Sequence, residues 1–200
     1  MKVKIIFGIF ILLLVAGAGY YIYRDSTTVV EFEKTQQLKQ IQQLEHPNLD
    51  RPINMPSTMA SDAQKIILEK IEKLSTELKQ NPSIFDNWLL LGIYRKIIGD
   101  YEGARDCWEY AAVINPQSPT PFNNLGDLYA NFIKDNKKAE ENFLMAIKID
   151  PSAIYIYRSL YEFYHYNLKD EAKAKQILEQ GIKVSPNTTK EFQNLLDNFK

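Results

Sequence analysis

His46, His165 and Cys107 are the side chains in this 200-residue chain best suited to proton transfer or nucleophilic attack, and nothing is spaced to assist them. The two histidines are far apart in sequence. His165 stands in the aromatic run Tyr161, Phe163, Tyr164, His165, Tyr166, a setting for packing or a polar contact rather than for catalysis. Cys107 is alone, which excludes an intrachain disulfide framework and a thiolate metal cluster. It sits on a helical segment between Asp106 and Trp108 and reads as a packed, inert thiol. The chain has no Walker-type phosphate loop, no H-E-x-x-H, no G-x-S-x-G and no cluster with metal-ligand spacing. Carboxylates are spread along helical segments, as at Lys70 with Glu69 and Glu72, the mark of a solvated face. With 24 basic and 25 acidic residues the net charge is −1, which argues against a nucleic-acid partner. The expectation is a protein that is not an enzyme and holds no cofactor or metal. Its chemistry is then recognition, which needs elements that hold side chains in register.

Those elements are written three times over residues 83–186. Trp88, Leu91, Gly92, Ala104, Trp108, Ala111 and Pro116 form the first copy, and Phe122, Leu125, Gly126, Ala139, Phe143, Ala146 and Pro151 the second. Tyr157, Leu160, Tyr161, Ala174, Leu178, Gly181 and Pro186 complete the set. Prolines and leading alanines recur 35 and 35 apart, the leading aromatics 34 and 35. A period of this length signals a helical repeat array. Each copy holds two apolar-periodic segments with a turn signal between them, Gly99-Asp100 in the first. Gly92 and Ala104 are small enough for paired helices to approach closely, and Trp88 and Trp108 fill the space beside them. Each closing proline ends a second helix, because it lacks the N–H and disfavours helix in the residue before it. The second and third copies carry one extra residue, assigned to longer turns at Lys134–Lys138 and Leu168–Lys173. The third has Tyr161 in place of glycine and Gly181 in place of alanine, either a volume exchange or the atypical end of a solenoid.

The order aromatic, Leu-Gly, Ala, large apolar, Ala, Pro resembles the tetratricopeptide repeat family, most closely in the first copy. In that family the first helices of successive pairs line a concave groove that holds a peptide or partner helix. The resemblance implies a groove with Leu89, Ile93, Lys96 and Ile97 from the first pair and Asn123, Asn124, Asp127, Ala130 and Asn131 from the second. Tyr155, Arg158, Glu162, His165 and Tyr166 come from the third. Leu89, Ile93 and Ile97 have an alternative reading as core against a leading helix. A clamp for chaperone tails is disfavoured, since Leu89 and Ile93 stand where such clamps carry a lysine and an asparagine.

The rest of the chain frames the array. Residues 1–4 form a short basic N-terminus, and residues 5–23 hold no charge, about enough to cross a bilayer as a helix. Tyr20, Tyr21 and Tyr23 gather at the far end, and Lys2 and Lys4 place the N-terminus in the cytoplasm. A cleaved signal peptide with Ala16-Gly17-Ala18 as its site is the rival reading, with a retained anchor favoured. Residues 24–60 comprise a glutamine-rich juxtamembrane helix with Leu38, Ile41 and Leu44, then a proline-containing linker. Leu49, Ile53 and Met55 are apolar for a spacer, and the linker is expected either to dock at the groove's apolar end by Leu89 and Ile93 or to run free. Residues 61–82 form a leading helix opened by a capping box at Ser61–Gln64, and residues 187–200 a capping helix opened by another at Thr188–Glu191.

The fold expected is all-α: a leader helix, three helix-turn-helix pairs and a cap, behind an N-terminal transmembrane helix. The function expected is an inner-membrane, single-pass scaffold whose extracytoplasmic groove binds a segment or helix of a partner protein. Two alternatives stay open. One is an accessory subunit of an envelope assembly or enzyme complex, such as the membrane-anchored repeat proteins that assemble secreted cytochromes. The other is a structural array that self-associates as a weak homo-oligomer.

Overall fold

The computed structural model describes residues 45–185, 190–197 and 199. The apolar run 5–23, residues 24–44 and the threonines of the Thr188–Glu191 capping box lie outside the described residues. Among those described, no helix is long and apolar enough to cross a membrane. Residues His46–Lys200 form one compact unit, in which every regular element described is helical.

The order is α1 (Ser61–Gln80), then three pairs, then α8 (Lys190–Asp197). The pairs are α2 (Phe85–Ile97) with α3 (Tyr101–Ile114), α4 (Thr120–Leu128) with α5 (Asn136–Ile149), and α6 (Ile154–Glu162) with α7 (Glu171–Val184). Each helix packs against its neighbours in sequence, and neighbouring first helices also meet: Lys96 Nζ lies 2.8 Å from Asp127, and Asn131 hydrogen-bonds Asn167.

The glycines set how closely paired helices approach. A β-carbon on Gly92 would lie 2.3 Å from Nε1 of Trp108, and one on Gly126 2.6 Å from the Phe143 ring. In each case the aromatic ring of the second helix lies directly on the backbone of the first. Trp108 also donates its indole N–H to the Leu89 carbonyl at 3.1 Å. In the third pair the exchange is a different one. Gly181 makes room for Phe192 of α8, 2.5 Å from where its β-carbon would be, so Gly181 serves the cap rather than Tyr161. The leading aromatics are anchored by their polar atoms. Trp88 Nε1 donates to the Pro82 carbonyl and the Tyr157 hydroxyl to the Pro151 carbonyl, at 2.7 and 3.0 Å.

Every second helix begins on an aspartate whose side chain accepts from the backbone N–H three residues on. Asp100 caps Gly103, Asp135 caps Lys138 and Asp170 caps Lys173, at 3.0–3.1 Å. The residues before them, Gly99, Lys134 and Lys169, all adopt left-handed backbone with φ of 81°, 66° and 55°. Both sets are 35 apart, so the turns of all three pairs have the same length. This corrects the assignment of the extra residue to longer turns. It is absorbed one step earlier, where α4 and α6 run on into π turns at Tyr129–Ile133 and Phe163–Leu168. The leading helix is corrected in its cap as well. Ala60 stands at its N-cap with no side-chain bond, and Gln64 instead donates to the carbonyls of Pro56 and Met59.

The linker is a packed part of the domain. Leu49 is 6% exposed and closes over Trp88, Leu91, Arg95 and Cys107, leaving a gap of about 20 Å³. Arg95 is 2% exposed, and Tyr129 and Tyr164 occupy its place in the other pairs. Its guanidinium donates to the carbonyls of Arg51 and Pro52 at 3.1 and 3.0 Å and to Asp100 at 3.2 Å. Arg51 reaches the same carboxylate through Nε at 2.8 Å, and Asp50 pairs with Lys79 of α1. Gly103, where the later pairs have Lys138 and Lys173, leaves room for Asp100 and Arg51; its β-carbon would lie 2.4 Å from the Asp100 carboxylate. At about 100° per residue, Trp88, Leu91 and Arg95 lie on the side of α2 opposite Leu89, Ile93 and Lys96. The linker therefore docks, but not on the groove's apolar end.

Three variants test this packing. Gly92→Ala forces Trp108 off the α2 backbone and costs about 1–3 kcal/mol in urea unfolding. Asp100→Ala removes a helix cap and strands the buried Arg95 charge, costing about 3–5 kcal/mol. Deleting residues 46–56 also strands Arg95 and lowers the urea midpoint.

Candidate functional site

Side chains with hydrogen-bonding capacity still to spend converge between the second and third pairs. A cleft of about 150 Å³ is lined by Asp127 of α4, Ala130 and Asn131 of its π turn, Ser159 and Glu162 of α6, and Phe163, Tyr166 and Asn167 of the second π turn. Its floor is aromatic. Phe143, held against Gly126, and Phe163 face one another with centroids 5.8 Å apart. Larger hollows of about 440 and 630 Å³ flank the linker, but their charged residues are mostly spent on each other, as in Arg51–Asp100 and Asp50–Lys79.

The polar wall of the cleft is a directed chain. Lys96 donates to Asp127 at 2.8 Å, and Asn131 Nδ2 donates to the other oxygen of that carboxylate at 2.8 Å. Asn131 Oδ1 accepts from Asn167 Nδ2 at 3.0 Å, and the same Nδ2 donates to the Ala130 carbonyl at 3.2 Å. A carboxylate and a carbonyl, which can only accept, fix the orientation of both amides. Lys96 also lies over the rings of Trp108 and Phe132, at 5.8 and 5.5 Å, so its ammonium is held at the cleft's leading rim.

The anticipated groove residues divide into three groups. Asp127, Ala130, Asn131, Glu162 and Tyr166 come together in the cleft, Tyr166 at 67% exposure. Leu89 packs against the core, whereas Ile93 and Ile97 are exposed on α2. Asn123 and Asn124 are half-buried, and Asn123 Oδ1 has no hydrogen-bond partner among the described residues. Tyr155 is exposed. Arg158 is tied to Glu191 of α8. His165 Nδ1 donates to Glu171 at 2.9 Å, and the ring stacks on Tyr161, 5.4 Å between centroids. Ser159, Phe163, Asn167 and the exposed Phe132 were not anticipated. The signal that reveals Asn167 is the extra residue itself, since the π turn it creates carries this side chain to the cleft.

Neighbouring pairs are locked together behind the cleft. The Tyr129 hydroxyl donates to Glu109 at 3.0 Å, and that of Tyr164 to Glu140 at 2.8 Å. Burial, then the bond to Glu109, pushes the Tyr129 phenol up to about 12. Glu140 also accepts from Lys173 at 2.7 Å, and this bond leads the causes that hold its carboxyl below the ordinary range.

The Tetratricopeptide repeat family profile matches residues 163–188, from the second π turn through α7. The chain contains a tetratricopeptide repeat. By structure it is similar to MamA as seen in its crystal structure, at 21% identity over 72% of this chain and 89% of that one, with a TM-score of 0.53. This likeness is one of fold, an all-helical repeat solenoid. No curated protein matches the sequence.

Cys107 lies under the linker, and burial pushes its thiol up to about 12. Thiol-disulfide reagents at pH 8 should leave it unmodified in the folded protein and react with it stoichiometrically in urea. Fast labelling without urea would refute the packed linker.

Proposed function

We propose that the protein is a membrane-anchored scaffold for protein–protein contact, with no catalytic step of its own. In this reading residues 5–23 are a retained anchor, the N-terminus is cytoplasmic, and the helical array stands outside the cytoplasm, where its first helices hold an extended segment or helix of a partner. One observation carries the binding role. The first helices and their π turns leave Ile93, Ile97, Phe132, Tyr155 and Tyr166 exposed, Tyr166 in the lining of a polar cleft, while their other sides are used in packing. Large apolar and aromatic side chains beside unspent polar groups are the composition of interface anchors. The anchor rests on the uncharged stretch 5–23 and on the basic Lys2 and Lys4.

Two experiments test this reading. A photo-crosslinking amino acid at Ile93 or Tyr166 should give adducts with a partner in cells, whereas one at Glu179 on α7 should not. Adducts only at Glu179 would move the binding face to the second helices. In a Cys107→Ala background, Glu179→Cys should be labelled by a membrane-impermeant maleimide in intact spheroplasts. Labelling only after lysis would overturn the topology.

A further inference from the structure

We infer that the cleft between the second and third pairs is a socket for an arginine side chain carried by an extended segment of the partner protein. The inference rests on the scaffold reading and adds what the cleft selects. Many of the cleft's hydrogen-bonding groups are already spent. Asn131 Nδ2 is committed to Asp127, and Asn167 Nδ2 to both Ala130 and Asn131. Asp127 is neutralised by Lys96. Ser159 gives its hydroxyl proton to the Tyr155 carbonyl at 3.2 Å, which leaves its oxygen as an acceptor. Asn167 Oδ1 and both oxygens of Glu162 have no partner among the described residues. Beside the second N–H of Asn131 and the Tyr166 hydroxyl, what remains in the cleft is acceptors, one of them an unpaired carboxylate.

A ligand for such a site must bring several donors and a positive charge. Arginine supplies five N–H groups in a planar fork, cannot lose its charge, and stacks on aromatic faces. The cleft offers such a face in the exposed Tyr166 at its rim, above an apolar floor of Phe143 and Phe163, with a volume on the scale of one side chain. No residue lining the cleft is cationic; the Lys96 ammonium is held on Asp127, and that of Lys134 lies 3.4 Å from the Ala130 carbonyl. A carboxylate-bearing segment would instead face the unpaired carboxylate of Glu162.

The test selects short linear peptides from a displayed library on the full-length protein, then measures the best binder with its arginine intact, as citrulline and as lysine. Citrulline keeps the shape and loses the charge. Selected peptides should share one arginine, and its replacement by citrulline should weaken binding about tenfold or more, the scale of a charged hydrogen bond. Glu162→Gln should weaken the arginine peptide by a similar factor and leave the citrulline peptide unaffected. Because Glu162 is exposed, this variant should fold normally, which circular dichroism checks. Equal binding of the citrulline or lysine form would overturn the socket. Peptides that lack a basic residue but lose binding on Ile93→Glu would sink the socket and leave the scaffold standing. Enrichment of no peptide would count against both.

Discussion

The contact on which the structure depends is an aromatic ring lying on bare helical backbone. At Gly92 and Gly126 even a methyl group would overlap Trp108 or Phe143, so the two helices of a pair sit as close as their backbones allow. That approach buries one side of each first helix and leaves another to solvent. It also places Phe143 at the floor of the polar cleft, so one contact serves both packing and recognition. The third pair is followed by α8, and its glycine has moved accordingly. Gly181 admits Phe192 of the terminal helix, and Arg158 of α6 ties that helix down through Glu191.

The cleft owes its shape to one inserted residue per pair. Because the left-handed turn and the aspartate cap recur at a fixed distance from each second helix, an added residue can only be accommodated upstream. The first helix widens there into a π turn. Its side chains are turned from the positions that an uninterrupted helix would give them, and Asn131 and Asn167 come within 3.0 Å of one another. The first pair lacks the insertion, and its outward face carries Ile93 and Ile97.

The leading end solves a different problem. Tyr129 and Tyr164 spend their hydroxyls on a carboxylate of the preceding pair, whereas the first pair follows α1. Arg95 stands in the tyrosine's place and takes the linker's carbonyls instead, and Gly103 in the lysine's place gives the linker room. The charge is buried, so the linker is held by a penalty against leaving as much as by the contacts it makes.

The repeat, its helix pairs and both end helices were legible in the sequence, because local patterns dictate them: apolar periodicity, small residues at crossings and prolines at helix ends. The aspartate caps were legible too, at positions 100, 135 and 170, although only the turn at Gly99-Asp100 drew notice. The departures at Arg95 and Gly103 stand in the repeat alignment as plainly as the matches do. What they meant was not legible, since their partners lie more than 40 residues away along the chain. The same holds for the site. Sequence placed Asp127, Asn131, Glu162 and Tyr166 on one helical face by analogy of register. Tertiary packing decided that Lys96 would neutralise Asp127, that Arg158 would be taken by α8, and that Asn167 would enter the cleft. A side chain's residual hydrogen-bonding capacity depends on which neighbours reach it first, and only the assembled fold determines those distances.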